Sequence, residues 1–72
     1  MLLIHQDRDI YLDYDKNSVL TVAPVVHDDL YFGHNVYCDN IMLGTFDDYK
    51  DALREVDMIQ YCNNQVYCIS LV

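Results

Sequence analysis

The sequence predicts an α+β fold: a small, mainly antiparallel β-sheet of four or five strands packed on one amphipathic α-helix. Three observations point there. One stretch carries apolar residues at helical spacing, several short runs alternate at period two or are rich in β-branched residues, and the linkers are too short for parallel crossovers. The 72 residues are expected to form one domain, 1–72, near the lower end of what a single hydrophobic core can hold without help. A hydrophobic fraction of 53% argues against disorder even at a net charge of −8.

Leu2 to His5 reads as a first strand, joined through a polar turn at Gln6 to Arg8 to a second at Ile10 to Tyr14. Asp15-Lys16-Asn17-Ser18 is a turn cluster, because Asp and Asn side chains bond their own backbone and tolerate left-handed dihedrals. Val19 to Val22 opens a third strand. Pro24 has no N–H to give to a ladder, so its segment belongs at an edge, a strand end or a bulge. His27-Asp28-Asp29 marks a break before Leu30-Tyr31-Phe32, Gly33-His34-Asn35 reads as a turn into Val36-Tyr37-Cys38, and Ile41-Met42-Leu43 is a short apolar run ended by Gly44.

The helix runs from Asp47 to about Gln60. Tyr49, Ala52, Leu53, Val56 and Ile59 share one face of a 3.6-residue period, with Asp47 as N-cap and Asp48 favourable near the positive end of the dipole. Lys50, Asp51, Arg54, Glu55 and Asp57 fall on the opposite, solvent-facing side, where Asp51 with Arg54 and Arg54 with Asp57 are spaced to pair. Asn63-Asn64 stops the helix. Gln65 to Val72 then reads as a strand apolar on both faces, hence central or covered.

Charge and composition exclude several functions. Twelve acidic against four basic residues repel nucleic acid and anionic membrane and leave basic proteins as the natural large partners. Cys38, Cys62 and Cys68 are an odd set without a CxxC pair, read as reduced, mostly buried small hydrophobes in a cytoplasmic protein. With His5, His27 and His34 they show no zinc-knuckle spacing. Asp13-x-Asp15-x-Asn17 matches the opening of an EF-hand loop, but Ser18 stands where its Gly is required and Pro24 where its bidentate Glu is required. No metal or cofactor is expected. With two glycines there is no phosphate-cradling loop, and no arrangement of His and Asp reads as an enzyme site. Met1 to Ile4 is too short an apolar run for a signal peptide, and nothing reaches the length of a membrane span.

The stretch most suggestive of function is Asp7-Arg8-Asp9-Ile10-Tyr11-Leu12-Asp13-Tyr14-Asp15. In an extended strand Asp7, Asp9, Tyr11, Asp13 and Asp15 would form one row, about 6.6–6.8 Å between same-face neighbours, with Ile10, Leu12 and Tyr14 turned to the core. That repeat is comparable to phosphate spacing along a nucleic-acid strand. The competing reading is a solvated strand face or an edge guarded against aggregation. Asp28 and Asp29 extend the candidate surface. Seven tyrosines add interface character, with Tyr11 the one expected on the acidic face.

Ile4-His5-Gln6-Asp7 followed by Ile10-x-Leu12-x-Tyr14-Asp15, and later Leu43-Gly44-Thr45-Phe46-Asp47-Asp48 leading into Ala52, resembles small proteins of phages and prophages of Gram-positive bacteria. Their usual opening is close to I-S-Q-D-G-x-I-D-x-P-Y-E, with a late Y-S-T-E-E-x-A helix start. Here His5 stands for Ser, Arg8 for Gly, Asp13 for Pro and Lys50 for the capping-box Glu. The resemblance implies a phage accessory protein in the cytoplasm of an infected host, a class with many inhibitors of antiviral defence such as anti-CRISPR proteins. The expected function is stoichiometric inhibition of a defence nuclease, such as a CRISPR-Cas nuclease, by a carboxylate row seated in its basic groove. Two alternatives stand beside it: an oligomeric sponge for a nucleotide immune signal, of anti-Thoeris or anti-CBASS type, and a phage structural or assembly subunit. A homodimer or higher oligomer fits either reading.

Overall fold

The computed structural model describes residues 1–71, which form six strands and one helix in an α+β arrangement. The strands are β1 (Leu2–Ile4), β2 (Tyr11–Asp13), β3 (Leu20–His27), β4 (Leu30–Cys38), β5 (Ile41–Phe46) and β6 (Val66–Cys68); helix α1 (Tyr49–Gln60) lies between β5 and β6. Two three-stranded sheets, ordered β2-β1-β6 and β3-β4-β5, replace the single sheet of four or five strands that the sequence suggested. All pairings are antiparallel except that of β1 with β6.

Local chemistry sets the hairpins of the longer sheet. Asp28 and Asp29 (φ 51 and 64) and Asp39 and Asn40 (φ 51 and 71) make two-residue turns with both residues left-handed, a conformation that Asp and Asn tolerate better than other side chains. β3 is an edge strand, and its register shifts between Pro24 and Val26, so the proline sits at an edge and a bulge as its missing donor requires.

Gly33-His34-Asn35 is not a turn. β4 runs unbroken through it, and Gly33 (φ 104) is needed because a Cβ there would stand 2.5 Å from the Phe46 carbonyl oxygen. β5 likewise continues past Gly44 to Phe46.

Helix α1 packs on β3, β4 and β5, and one core joins both sheets to it: Leu3, Val36, Cys38, Leu43, Phe46, Ala52, Ile59 and Ile69 are buried. The N-cap is Asp48, whose carboxylate accepts from the Asp51 N–H at 3.0 Å, and not Asp47. The inward face also differs from expectation. Ala52, Glu55 and Ile59 are buried while Leu53 is 39% exposed, so the helix is rotated toward its charged side. Neither Asp51–Arg54 nor Arg54–Asp57 forms an ion pair.

The C-terminal strand is short and lies at a sheet edge, with Val66 and Cys68 exposed, rather than central. Val72, the last residue of the expected strand, lies outside the described residues. Among the cysteines Cys38 alone is buried; Cys62 is half-buried and Cys68 exposed. Burial, helped by the Asp39 charge, pushes the Cys38 thiol up.

Gln6 couples the two sheets. Its side-chain oxygen accepts from the Thr45 N–H at 3.0 Å, and its amide nitrogen donates to the carbonyls of Thr45 and Ser70 at 3.2 and 2.9 Å. Arg8 closes the same corner by donating to the carbonyls of Ile69 at 2.8 Å and His5 at 3.3 Å. No helix of the described residues is long and apolar enough to cross a membrane.

Candidate functional site

The acidic stretch divides into two parts. Asp7 and Asp9 lie in the turn between β1 and β2, where Arg8 is left-handed (φ 67) and its N–H donates to the His5 carbonyl at 2.8 Å. Period-two alternation cannot persist through such a turn. Both carboxylates instead gather around the ring of buried His5, at 3.7 and 3.8 Å from Nδ1, with their side chains largely in water. His5 Nδ1 accepts from the Asp7 N–H at 2.9 Å, which turns this nitrogen into the anchor of the loop.

His5, Asp7 and Asp9 bring their ligand atoms within 4.8 Å of one another. The Nδ1 that faces both carboxylates has its lone pair engaged by the Asp7 amide, so that nitrogen has none to offer a metal.

From Tyr11 onward the alternation holds. β2 is an edge strand in which Tyr11 (62% exposed) and Asp13 face water, while Leu12 and Tyr14 pack against the core. Ile10, assigned by parity to the core, is 43% exposed; it lies just before β2, with its carbonyl accepting from the His5 N–H at 2.9 Å. Asp15 is exposed as well, and one of its oxygens accepts from the Asn17 N–H at 2.7 Å, the local turn its sequence suggested. The result is an acidic edge, Tyr11, Asp13 and Asp15, continued by an acidic turn, Asp7 and Asp9.

Asp28 and Asp29 belong to the other sheet, at the tip of the β3–β4 hairpin. The pairing of β4 with β5 ends at His34 with Phe46, so the hairpin beyond it is two-stranded. Val26, Leu30, Tyr31 and Phe32 flank the acidic tip there, each more than half exposed. Val26 pairs with Tyr31, and the rings of His27 and Phe32 meet edge-on at 6.0 Å. Tyr31 ties this arm down: its hydroxyl donates to the Asp47 carbonyl at 3.1 Å and contacts His34 Nδ1, whose ring lies 5.2 Å from that of Tyr49.

The apolar flank was missed in the sequence, where Leu30-Tyr31-Phe32 looks like an ordinary strand core. Its signal is the adjacency of three large apolar residues to an Asp-Asp turn. The tip strands have no third strand to cover them, so the residues that would be buried in a wider sheet stay in water.

Comparison of the chain with protein-family models, with curated proteins and with solved structures finds no match.

Proposed function

We propose that this protein acts by stoichiometric binding to a basic, nucleic-acid-handling protein, as an inhibitor of a bacterial antiviral defence nuclease of the kind anti-CRISPR proteins target. The observation that carries the reading is the pairing of exposed aromatic and apolar side chains with carboxylates at two places, Tyr11 with Asp13 and Asp15, and Leu30, Tyr31 and Phe32 with Asp28 and Asp29. Aromatic residues anchor protein interfaces, and a surrounding negative field speeds encounter with a positive groove. A net charge of −8 on 72 residues supplies that field. The phage setting rests on the resemblance of the His5 to Asp15 and Leu43 to Ala52 segments.

A nucleotide sponge ranks below this reading on the same geometry. Phosphates need free cations, and Arg8, one of only four Lys and Arg residues, donates to two backbone carbonyls.

The test is affinity capture from a bacterial lysate with immobilised wild type and, side by side, a variant carrying Asp7→Asn, Asp9→Asn, Asp13→Asn and Asp15→Asn. The expected result is a basic nucleic-acid-binding protein retained by wild type, released by salt, inhibited on addition of wild type and retained weakly by the variant. Equal retention by both proteins would remove the acidic edge from the interface.

A further inference from the structure

A cavity of about 300 Å³ opens between helix α1 and the segment after β6, lined by Phe46, Met58 and Leu71 on its apolar side and by Asp51, Glu55 and Ser70 on its polar side, with Arg54 also on its wall. Its volume is at the lower end of the roughly 300–1,000 Å³ of small-molecule sites. Glu55 is only 3% exposed, and its Oε2 accepts from the Tyr67 hydroxyl at 2.8 Å and the Ser70 N–H at 2.9 Å. Oε1 takes no hydrogen bond among the described residues, and no fully enclosed side-chain oxygen or nitrogen there lacks a partner. Oε1 is therefore not fully enclosed, and Glu55 lines the cavity. Among the described residues no Lys or Arg forms an ion pair with this carboxylate. A buried carboxylate held only by neutral donors lacks the cation that ordinarily offsets its desolvation.

We propose that this cavity is a binding site for a primary alkylammonium group, the chemistry of a lysine side chain or of a free aliphatic amine. The ammonium would donate to Glu55 Oε1 while its methylene chain lies along Phe46, Met58 and Leu71. The oxygen that has no donor among the described residues selects this class. A guanidinium is bound best by both oxygens of a carboxylate at once, and Oε2 is already engaged twice. The wall carries two carboxylates, Asp51 and Glu55, against one cation, Arg54, so its formal charge is one negative. The site shares no residue with the acidic edge of β2, so it stands or falls separately from the protein-binding reading.

The experiment is a titration of the full chain, followed by backbone amide NMR shifts, with three probes: n-pentylammonium, its neutral analogue 1-pentanol, and Nα-acetyl-lysine methylamide. Saturable shifts at Glu55, Met58 and Ser70 are expected with n-pentylammonium, and 1-pentanol should bind about tenfold more weakly or worse, because it lacks the charge-assisted bond. Glu55→Gln retains an acceptor for Tyr67 and Ser70 but presents no anion, and should lose about tenfold in affinity; Arg54→Gln should gain. Binding of the acetyl-lysine amide at the same amides assigns the site to a partner's lysine, and its failure beside n-pentylammonium binding assigns it to a free amine. Three outcomes overturn the proposal: 1-pentanol binding as tightly as the amine, shifts confined to Asp7 to Asp15, or a folded Glu55→Gln variant that binds the amine as wild type does. The first comparison needs no variant and remains decisive if Glu55→Gln does not fold.

Discussion

The Tyr67 hydroxyl donates to Oε2 of Glu55 at 2.8 Å and so joins strand β6 to helix α1. Glu55 is buried and Tyr67 half-buried, and the bond satisfies a polar atom on each. Burial first, then the hydrogen bond and charge of Glu55, pushes the Tyr67 phenol from 10.0 up to about 12.

An alkaline limb of stability follows. Because the folded-state value lies above the unfolded one, the contribution of Tyr67 is fully present below about pH 10 and disappears as pH rises to about 12. Tyr67→Phe should be less stable than wild type at neutral pH, by about 1 kcal/mol, below the usual range for a hydrogen bond to a charged group because Tyr67 is half-buried. The gap between the two proteins should close across the alkaline window. Urea midpoints measured stepwise in pH check this, with the other six tyrosines common to both proteins. A gap independent of pH would mean that the bond contributes nothing specific to the protonated phenol.

Helix register gives the second prediction. Ile59 is fully buried, so Ile59→Ala should cost about 2–5 kcal/mol, a large part of the stability of a domain this size. Leu53 keeps 39% of its surface in water and should cost clearly less on the same change. Thermal melts of the two variants decide the register; equal losses would return Leu53 to the core.

That register shows where local pattern stops being informative. Ala52, Val56 and Ile59 were legible from spacing, but Glu55 was assigned to water because charge is usually solvated. Its partners lie 12 and 15 residues away, beyond the reach of any helical periodicity. The Asp28-Asp29 break was legible for the opposite reason, since left-handed backbone is encoded by the turn residues themselves. The acidic stretch was half legible: alternation describes Tyr11 to Asp15, while Asp7 and Asp9 follow a turn fixed by His5 and by the carbonyl of Ile69 that Arg8 reaches.

Gly33 supplies the third prediction. Its positive φ and the approach of the Phe46 carbonyl, 2.5 Å from where a Cβ would sit, leave no room for a side chain. Gly33→Ala should destabilise by more than about 1 kcal/mol, in contrast to a glycine in an ordinary turn position with space around it. A chemical-denaturation midpoint unchanged from wild type would show that β4 and β5 can separate there without cost.

The two halves of the acidic surface allow its kinetics to be divided, using the protein retained in the capture experiment as partner. Asp7→Asn with Asp9→Asn alters the turn around His5, and Asp13→Asn with Asp15→Asn alters the edge strand; Asn at 15 keeps an acceptor for the Asn17 N–H. Each pair removes two exposed charges, so each should slow association, and the loss should shrink with added salt because such charges are screened within about 8–10 Å at physiological ionic strength. Tyr11→Ala removes contact area without changing charge. Its effect should fall on dissociation, with association close to wild type and little salt dependence. Surface plasmon resonance at low and high salt separates the two signatures. If both acidic pairs associate as fast as wild type at low salt, and Tyr11→Ala dissociates no faster, the β2 edge is a solvated strand face and the interface lies elsewhere, with the Asp28-Asp29 hairpin the next surface to vary.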